Sequence, residues 1–197
     1  MNSRDQLLAI LAEKSFALGQ FKLSSGGTSD YYVDCRVTTL SAEGARLTGI
    51  VFLDEIHRHG WNPQAIGGLT MGADPIVTAV SIASAQQGSG LIDGFLVRKA
   101  AKEHGMKNRI EGYKHKGARV VIVDDVCTTG ASTIEAIAAA REFGFEIAGV
   151  MCLVERLEAM GRPAVESEAA GVPFISIFTS DHVRQCHVAL KSKAAKS

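Results

Sequence analysis

The stretch VVIVDDVCTTGAST, residues 120–133, combines three features that together decide the fold class. It opens with a run of apolar residues typical of a strand that is covered on both faces. The paired acids Asp124 and Asp125 follow, and then a loop of hydroxyl side chains around one glycine, Gly130. A helical pattern begins directly after this loop, so the stretch predicts one strand-loop-helix unit of a parallel sheet.

Strand and helix patterns alternate along the rest of the chain in the same way. Helices are predicted at residues 41–58, 75–87 and 132–143, and a first helix is predicted to begin at a capping box formed by Ser3 and Gln6. Strands are predicted at 65–70, 94–98, 119–125, 147–155 and 172–178, with a hairpin at 21–36 and a polar connection at 99–114. This alternation predicts an α/β fold in which a central, mostly parallel sheet is flanked by helices.

The chain has the length and composition of one globular domain, which we place at residues 1–197. Its 21 basic and 21 acidic side chains cancel, so net charge gives no reason to expect a nucleic-acid or membrane partner. The four cysteines are scattered without metal-ligand spacing, which argues against a structural metal site. No long apolar run or signal peptide is visible, so we expect a cytoplasmic protein, with a frayed basic tail at residues 191–197.

Residues 127–133 have the composition of a site for a phosphate monoester. The loop lies where a strand gives way to a helix, and the free N–H groups and dipole of a helix N-terminus favour an anion. Gly130 allows a close turn around a ligand, while Thr128, Thr129, Ser132 and Thr133 add hydroxyl donors. The lysine of a nucleoside-triphosphate loop is missing, and so is the glycine spacing of a dinucleotide-binding loop.

The acid pair needs a different explanation, because Asp124 and Asp125 would repel a phosphate that touched them. Their natural partners are the hydroxyls of a ribose and a Mg²⁺ ion that keeps part of its water shell. The alternative is that both acids merely cap a turn. Together with the loop, the first interpretation predicts a ligand with a phosphate at one end and free hydroxyls in its middle.

Residues 120–133 as a whole resemble the 5-phosphoribosyl 1-diphosphate (PRPP) motif of the type I phosphoribosyltransferases, in which an apolar strand, two acids and a Thr/Gly-rich loop follow one another. The resemblance implies the fold of that family, with a small N-terminal hood region in which about residues 1–40 form the substrate-side segment. It also implies a set of PRPP-binding residues, namely Arg98, Lys99, Lys102, His104, Asp124, Asp125, Val126, Cys127, Thr128, Thr129, Gly130, Ala131 and Ser132.

A basic segment at residues 98–116 carries seven lysine or arginine residues against two glutamates, a local charge of about +5 in a neutral chain. Such a run is often only a solvated loop. Here its opening, RKAAKEHG, resembles the catalytic loop of the orotate phosphoribosyltransferases. The resemblance implies that Lys99, Lys102 and His104 are catalytic and stabilise a departing diphosphate, as cations on a closing lid can do.

The similarity to the orotate phosphoribosyltransferases extends over about residues 16–178 and includes FKLSSGGTSDYY (21–32) and GGLTMGADPI (67–76). It implies that Arg156 and Thr128 contact the orotate base. A guanidinium suits that role because it can pair with a planar carboxylate and with imide oxygens; without the resemblance, Arg156 reads equally well as a surface arginine beside glutamates. One position departs from the pattern: Thr28 stands where many members carry a lysine that approaches PRPP.

The resemblance therefore implies transfer of the 5-phosphoribosyl group from PRPP to orotate, a step of pyrimidine biosynthesis that gives orotidine 5'-monophosphate and diphosphate. It also implies Mg²⁺, held mainly through the diphosphate and ribose with Asp124 or Asp125 at its water shell, and a homodimer that shares the basic loop. Three alternatives stay open: a type I phosphoribosyltransferase for a purine or another base, a regulator that senses PRPP, and a generic phosphate-binding α/β domain. Cys127 is expected to be a packing residue despite its place in the loop.

Overall fold

The computed structural model describes residues 2–22, 27–88, 90–99 and 109–195. A π-helical turn (Leu11–Ser15) follows the first helix and a 3-10 turn (Leu157–Ala159) follows the seventh strand. The helices and strands are, in chain order, α1 (Ser3–Ile10), β1 (Phe16–Lys22), β2 (Thr28–Val33), α2 (Arg36–Thr39), α3 (Ala42–Arg58), β3 (Ala65–Leu69), α4 (Asp74–Gln87), β4 (Asp93–Val97), β5 (Ile110–Gly112), β6 (Arg119–Cys127), α5 (Ala131–Phe143), β7 (Glu146–Glu155), α6 (Gly161–Glu168), β8 (Phe174–Thr179) and α7 (Ser180–Ala194).

The main sheet has six strands in the order β5-β4-β3-β6-β7-β8. Every neighbouring pair is parallel except β4 and β5, which are antiparallel. The predicted α/β fold with a mostly parallel sheet is therefore confirmed. The polar connection predicted at residues 99–114 is wrong at its end, because Ile110, 1% exposed, pairs with Val97 and makes β5 an edge strand.

Strand β6 lies at the centre of this sheet, and its apolar residues are covered on both faces. Val121 and Val123 belong to one core cluster, while Val120 and Ile122 belong to the other. All four are fully buried. Alternate side chains of a strand point to opposite faces, so two separate cores meet along β6, as its unbroken apolar run predicts.

Most helix ends follow the local sequence signals, although α1 is capped by Asn2, which accepts from the N–H of Asp5, and not by the predicted Ser3. Ser41 accepts a hydrogen bond from the backbone N–H of Gly44 and begins α3, and Pro75 lies in the first turn of α4. Helix α5 ends at Gly144, whose φ of 101° is the left-handed conformation that glycine adopts readily. The C-terminal segment differs from the prediction, because residues 191–194 continue α7 and do not fray. No helix in the described ranges is long and apolar enough to cross a membrane.

The hairpin of β1 and β2 forms a separate two-stranded antiparallel sheet, as predicted, although β1 begins at Phe16 and not at Phe21. Its turn, residues 23–26, lies outside the described residues. Phe16 and Tyr31 stack on each other and are buried in the same core cluster as Val121. This packing anchors the small N-terminal region beside the carboxyl ends of the main-sheet strands.

Candidate active site

A cleft of about 1040 Å³ opens at the carboxyl ends of β3, β4 and β6, the edge of a parallel sheet where ligands usually bind. One wall comes from the sheet and its loops, and the facing wall from the end of the hairpin. The residues that line it are Lys22, Tyr32, Val33, Asp34, Arg36, Leu69, Thr70, Met71, Gly72, Lys99, Asp124, Asp125, Val126, Thr128, Thr129, Ser132 and Arg156.

The acid pair lies inside strand β6 and faces this cleft, so the alternative that it caps a turn is wrong. Asp124 is 5% exposed and accepts hydrogen bonds from Thr133 Oγ1 and from the N–H of Asp125, both at 2.9 Å. Asp125 accepts from the N–H of Val126, also at 2.9 Å. These bonds hold both carboxylates in fixed orientations at the floor of the site.

Burial is the main reason that the pKa values of both acids are raised. The pKa of Asp124 rises to about 7, first because the group is buried and second because Asp125 lies beside it, while the hydrogen bond from Thr133 acts in the opposite direction. Burial also raises the pKa of Asp125. Because burial disfavours the charged form of both acids, partners that stabilise negative charge, such as hydroxyl donors or a cation, would bind here favourably.

The strand-end loop, residues 128–133, packs tightly against the start of α6. Gly130 has a φ of 79°, and a Cβ on it would lie 2.6 Å from Val165 Cγ2. A Cβ on Gly161 would lie 2.2 Å from the carbonyl oxygen of Thr128. The loop pattern predicted the need for Gly130. It did not predict that residue 161, about thirty residues away, must also be a glycine to leave room for the loop.

Only part of the predicted loop lines the cleft, namely Val126, Thr128, Thr129 and Ser132. Thr133, also predicted as a hydroxyl donor to the phosphate, is buried and donates to Asp124 instead. Helix α5 has no side-chain cap among the described residues, so the N–H groups at its start, including that of Ala131, are available to an anion. The loop can therefore bind an anion through hydroxyl groups and backbone together.

Cys127 is 1% exposed and packs in the core cluster that also contains Cys152. A hydrogen bond with Cys152 is the main cause that lowers the pKa of the Cys127 thiol, while burial opposes it. The side chain is turned away from the cleft. This placement confirms a packing role and limits any ligand contact by Cys127 to its backbone.

The basic segment is described only at its two ends, since Lys102 and His104 fall outside the described residues. Lys99 lines the cleft, whereas Arg98 lies 3.6 Å from Glu111 and outside the lining. Arg109 donates to the carbonyl oxygen of Arg98 at 2.8 Å and also pairs with Glu135 of α5. The two ends of the basic segment are thus joined next to the helix that follows the strand-end loop.

Arg156 follows β7 and is only 8% exposed, so it is not a surface arginine. Its Nε donates to the hydroxyl of Tyr31 and to Glu158 Oε1, both at 3.0 Å. Its Nη2 lies 3.1 Å from Ser29 Oγ and 2.9 Å from Glu158 Oε1. Nη1 has no partner among the described residues, so two N–H donors of a cleft-lining guanidinium stay open for a ligand.

Several lining residues were named in the sequence analysis only as parts of longer segments. Gly72 is one: a Cβ there would lie 2.4 Å from Asp125 Oδ1, so the 70–73 loop passes directly over the acid pair. Lys22 is another, and it pairs across the hairpin with Thr28. Residue type alone could not select them, because their importance depends on how the hairpin and the β3 loop pack against β6.

Comparisons with known proteins agree with this geometry. Residues 51–169, more than half of the chain, match the phosphoribosyl transferase domain family. An orotate phosphoribosyltransferase of Streptomyces avermitilis is 44% identical over 180 residues, which cover 91% of this chain and 96% of the relative. The crystal structure of the Mycobacterium tuberculosis orotate phosphoribosyltransferase with Fe(III) dicitrate superposes with a TM-score of 0.79 at 36% identity, covering 92% of this chain and 99% of the other.

A second structure of the M. tuberculosis enzyme was determined in complex with PRPP, and it superposes with a TM-score of 0.73 at 30% identity, covering 92% of this chain and 91% of the other. Identity at this level over nearly the whole length of both chains goes beyond a shared fold. The chain is a phosphoribosyltransferase and belongs to the orotate phosphoribosyltransferase family.

Proposed function

We propose that the protein transfers the 5-phosphoribosyl group from PRPP to orotate and releases orotidine 5'-monophosphate and diphosphate. One observation carries the proposal: a single cleft joins a phosphate-type loop and a buried acid pair to an arginine with open donors. The first two features suit a phosphorylated sugar, and the third suits a planar anionic base.

PRPP would bind along the end of β6. The strand-end loop takes the 5-phosphate through the N–H groups of α5 and the hydroxyls of Thr128, Thr129 and Ser132. Asp124 and Asp125 take the ribose hydroxyls. The tight packing at Gly130 supports this assignment, because it presents the backbone of the loop to a ligand in one fixed conformation.

Orotate would bind between Thr128 and Arg156. Breaking the bond at the anomeric carbon of PRPP leaves positive charge on the sugar, and the ring nitrogen of orotate must be held in line with that carbon. The open N–H donors of Nη1 can pair with the carboxylate or imide oxygens of the base. Arg156 and Thr128 therefore act by orienting the base and not by moving a proton.

The departing diphosphate requires positive charge that is free to reach it. Four cations line the described part of the cleft. Arg36 is committed to Asp34 through two bonds of 2.9 Å, and Arg156 is committed to Glu158. Lys22 and Lys99 hold no carboxylate there, so we assign them to the diphosphate and its approach, together with Arg98, Lys102 and His104 of the basic segment. Because Lys22 lies opposite Thr28, it can supply a cation close to the position where the family lysine is missing.

Mg²⁺ fits this site through its outer shell. Both oxygens of Asp124 already accept protein hydrogen bonds, and no group of three His, Cys, Asp or Glu side chains in the described ranges forms a metal site. The ion would be held mainly by the diphosphate and ribose, with Asp124 or Asp125 contacting its water shell. When bound, it would neutralise charge on the leaving diphosphate.

The remaining assignments follow from the family resemblance. We propose that residues 1–197 work as one domain, and that two chains form a homodimer in which each basic segment reaches the neighbouring site. We also propose a cytoplasmic enzyme without nucleic-acid or membrane partners, consistent with the balanced charge of the sequence.

The test is a direct assay with a choice of bases. The protein is mixed with PRPP, Mg²⁺ and orotate, and the loss of orotate absorbance is followed; parallel reactions contain uracil, adenine or hypoxanthine. We expect turnover with orotate alone. Turnover with a purine and none with orotate would favour the purine-specific alternative, and PRPP binding without turnover of any base would favour a PRPP-sensing regulator.

A further inference from the structure

Glu158 contacts Arg156 but does not line the cleft. Arg156 lines the cleft, whereas Glu158 does not, although its side chain is half exposed. A single oxygen of this carboxylate, Oε1, accepts from Nε and Nη2 of Arg156 and from the hydroxyl of Tyr31. Among these partners Arg156 is the one that lines the cleft, so the contact with Arg156 is the route by which Glu158 would influence a ligand there.

Tyr31 completes the arrangement from the hairpin. Its hydroxyl accepts from Nε of Arg156 at 3.0 Å and donates to Glu158, and its ring lies 4.6 Å from the guanidinium carbon. Tyr31 is itself only 6% exposed, fixed by stacking on Phe16. The tyrosine thus bonds to both the arginine and the glutamate while its ring is anchored in the core.

The occupied edge of the guanidinium determines which edge is free. With Nε and Nη2 engaged by Tyr31, Glu158 and Ser29, only Nη1 keeps both N–H donors available as far as the described residues go. An arginine without these contacts could rotate about its long side chain and would lose that orientation when a ligand is absent. Holding it beforehand lowers the entropy that a ligand must overcome on binding.

We propose that Glu158 and the hydroxyl of Tyr31 are positioning residues for base recognition, which fix Arg156 so that its Nη1 edge meets a planar carboxylate substrate. The inference rests on the proposed function, since it takes orotate as the base. If Glu158 instead competed with the substrate for Arg156, its removal would tighten binding and lower KM for orotate, whereas loss of a positioning residue raises that KM.

The experiment compares steady-state constants for the wild-type protein with those of Glu158→Ala, Glu158→Gln and Tyr31→Phe. Glu158→Ala removes the acceptor, and we expect it to raise KM for orotate about tenfold, the size of one charge-assisted hydrogen bond. KM for PRPP should stay within about twofold. Glu158→Gln keeps an acceptor oxygen without the charge, so its KM for orotate should lie close to the wild-type value. Tyr31→Phe keeps the ring but loses the hydroxyl, and it should raise KM for orotate about threefold.

Glu166 provides a matched control. Its side chain is also half exposed and pairs with an arginine, Arg162, at 3.2 Å, but neither residue lines the cleft. Glu166→Ala should leave both KM values unchanged. Thermal unfolding of Glu158→Ala and Glu166→Ala then separates a general loss of stability from a loss of orientation.

Three results would overturn the inference. An orotate KM that does not change in Glu158→Ala would show that Arg156 needs no support, and a lower orotate KM in both Glu158 variants would identify Glu158 as a competitor. Parallel increases in the KM values of orotate and PRPP would indicate a structural role only. If the wild-type protein itself does not use orotate, the proposed function fails, and the wild-type assay shows this before any variant is made.

Discussion

The strand-end loop and the cluster around Arg156 lie in the same cleft but are assembled in different ways. The bond from Thr133 to Asp124 joins residues nine positions apart, whereas Ser29 and Tyr31 reach Arg156 from 127 and 125 positions away. The loop side of the cleft, residues 124–133, consists largely of backbone groups and buried acids. The arginine side, Arg156 with Ser29, Tyr31 and Glu158, is built from side-chain hydrogen bonds between the hairpin and the segment that follows β7. Substitutions on the two sides should therefore affect different substrates and different properties of the protein.

The largest effect should come from the buried acid on the loop side, as a pH dependence of stability. The pKa of Asp124 is about 7 in the folded protein against an ordinary value of 3.8, with burial as the main cause. Between about pH 4 and pH 7 the folded state binds more protons than the unfolded state, so the free energy of unfolding falls as pH rises. The difference corresponds to a decrease of up to about 4 kcal/mol.

Asp124→Asn should remove most of this decrease, because an amide does not ionise. Chemical denaturation of the ligand-free protein at several pH values measures the slope, and Asp54→Asn, on the exposed side of α3, controls for the loss of any carboxylate. If the free energy of unfolding depends on pH in the same way in Asp124→Asn and in the wild type, the acid pair is solvated and not buried. The contrast between the two sides of the cleft would then be weaker.

The loop side of the cleft could be predicted from the sequence more fully than the arginine side. Residues 120–133 are close in sequence, so their strand, acids and loop could be predicted from local pattern, and the structure has them in that order. The family resemblance implied a role for Arg156, but no role for Tyr31 or Glu158 followed from the sequence. Their roles depend on the docking of the hairpin against the end of β7, a contact between distant segments that periodicity does not encode.

Two features of the fold escaped prediction for related physical reasons. Strand β5 has three residues in a polar segment and exists because Ile110 pairs with Val97 at the sheet edge. Helix α7 continues through lysines that carry no apolar signal of their own, and its N-terminus is set by a capping box between Thr179 and His182. In both cases a specific contact outweighs a weak local preference.

The next largest effect is expected at Lys99, which extends the loop side toward the diphosphate. Lys99→Ala should lower kcat by about a hundredfold, roughly 2.7 kcal/mol, because it removes positive charge that is needed as the leaving group develops charge. Single-turnover kinetics isolate this step from product release. Lys114→Ala is the matched control, since Lys114 lies in the same basic segment but pairs with Glu111 outside the cleft. Equal single-turnover rates in Lys99→Ala and Lys114→Ala would show that Lys99 does not contribute to catalysis.

On the arginine side, Arg156→Ala should raise KM for orotate about thirtyfold, or about 2 kcal/mol, while changing KM for PRPP by less than about twofold. The reason is that Arg156 offers its open donors only to the base. Arg184→Ala is a close control, because Arg184 also lies over the Tyr31 ring, at 5.1 Å, yet does not line the cleft. If both substrates lose affinity equally in Arg156→Ala, the two sides of the cleft are not separate.

The smallest effect, and the sharpest test of the loop side, concerns Gly130. Gly130→Ala places a Cβ 2.6 Å from Val165 at a φ of 79°, so the loop must shift away from α6, and KM for PRPP should rise about tenfold, or about 1.4 kcal/mol. Gly117→Ala imposes nearly the same backbone strain, at a φ of 77°, but its Cβ meets nothing within 4 Å. Both variants should lose about 1 kcal/mol of stability through the positive φ, Gly130→Ala somewhat more because of its contact with Val165, while only Gly130→Ala should weaken PRPP binding. A PRPP KM that is unchanged in Gly130→Ala would show that the phosphate does not depend on the packed conformation of this loop, and would leave the acid pair as the main determinant of sugar binding.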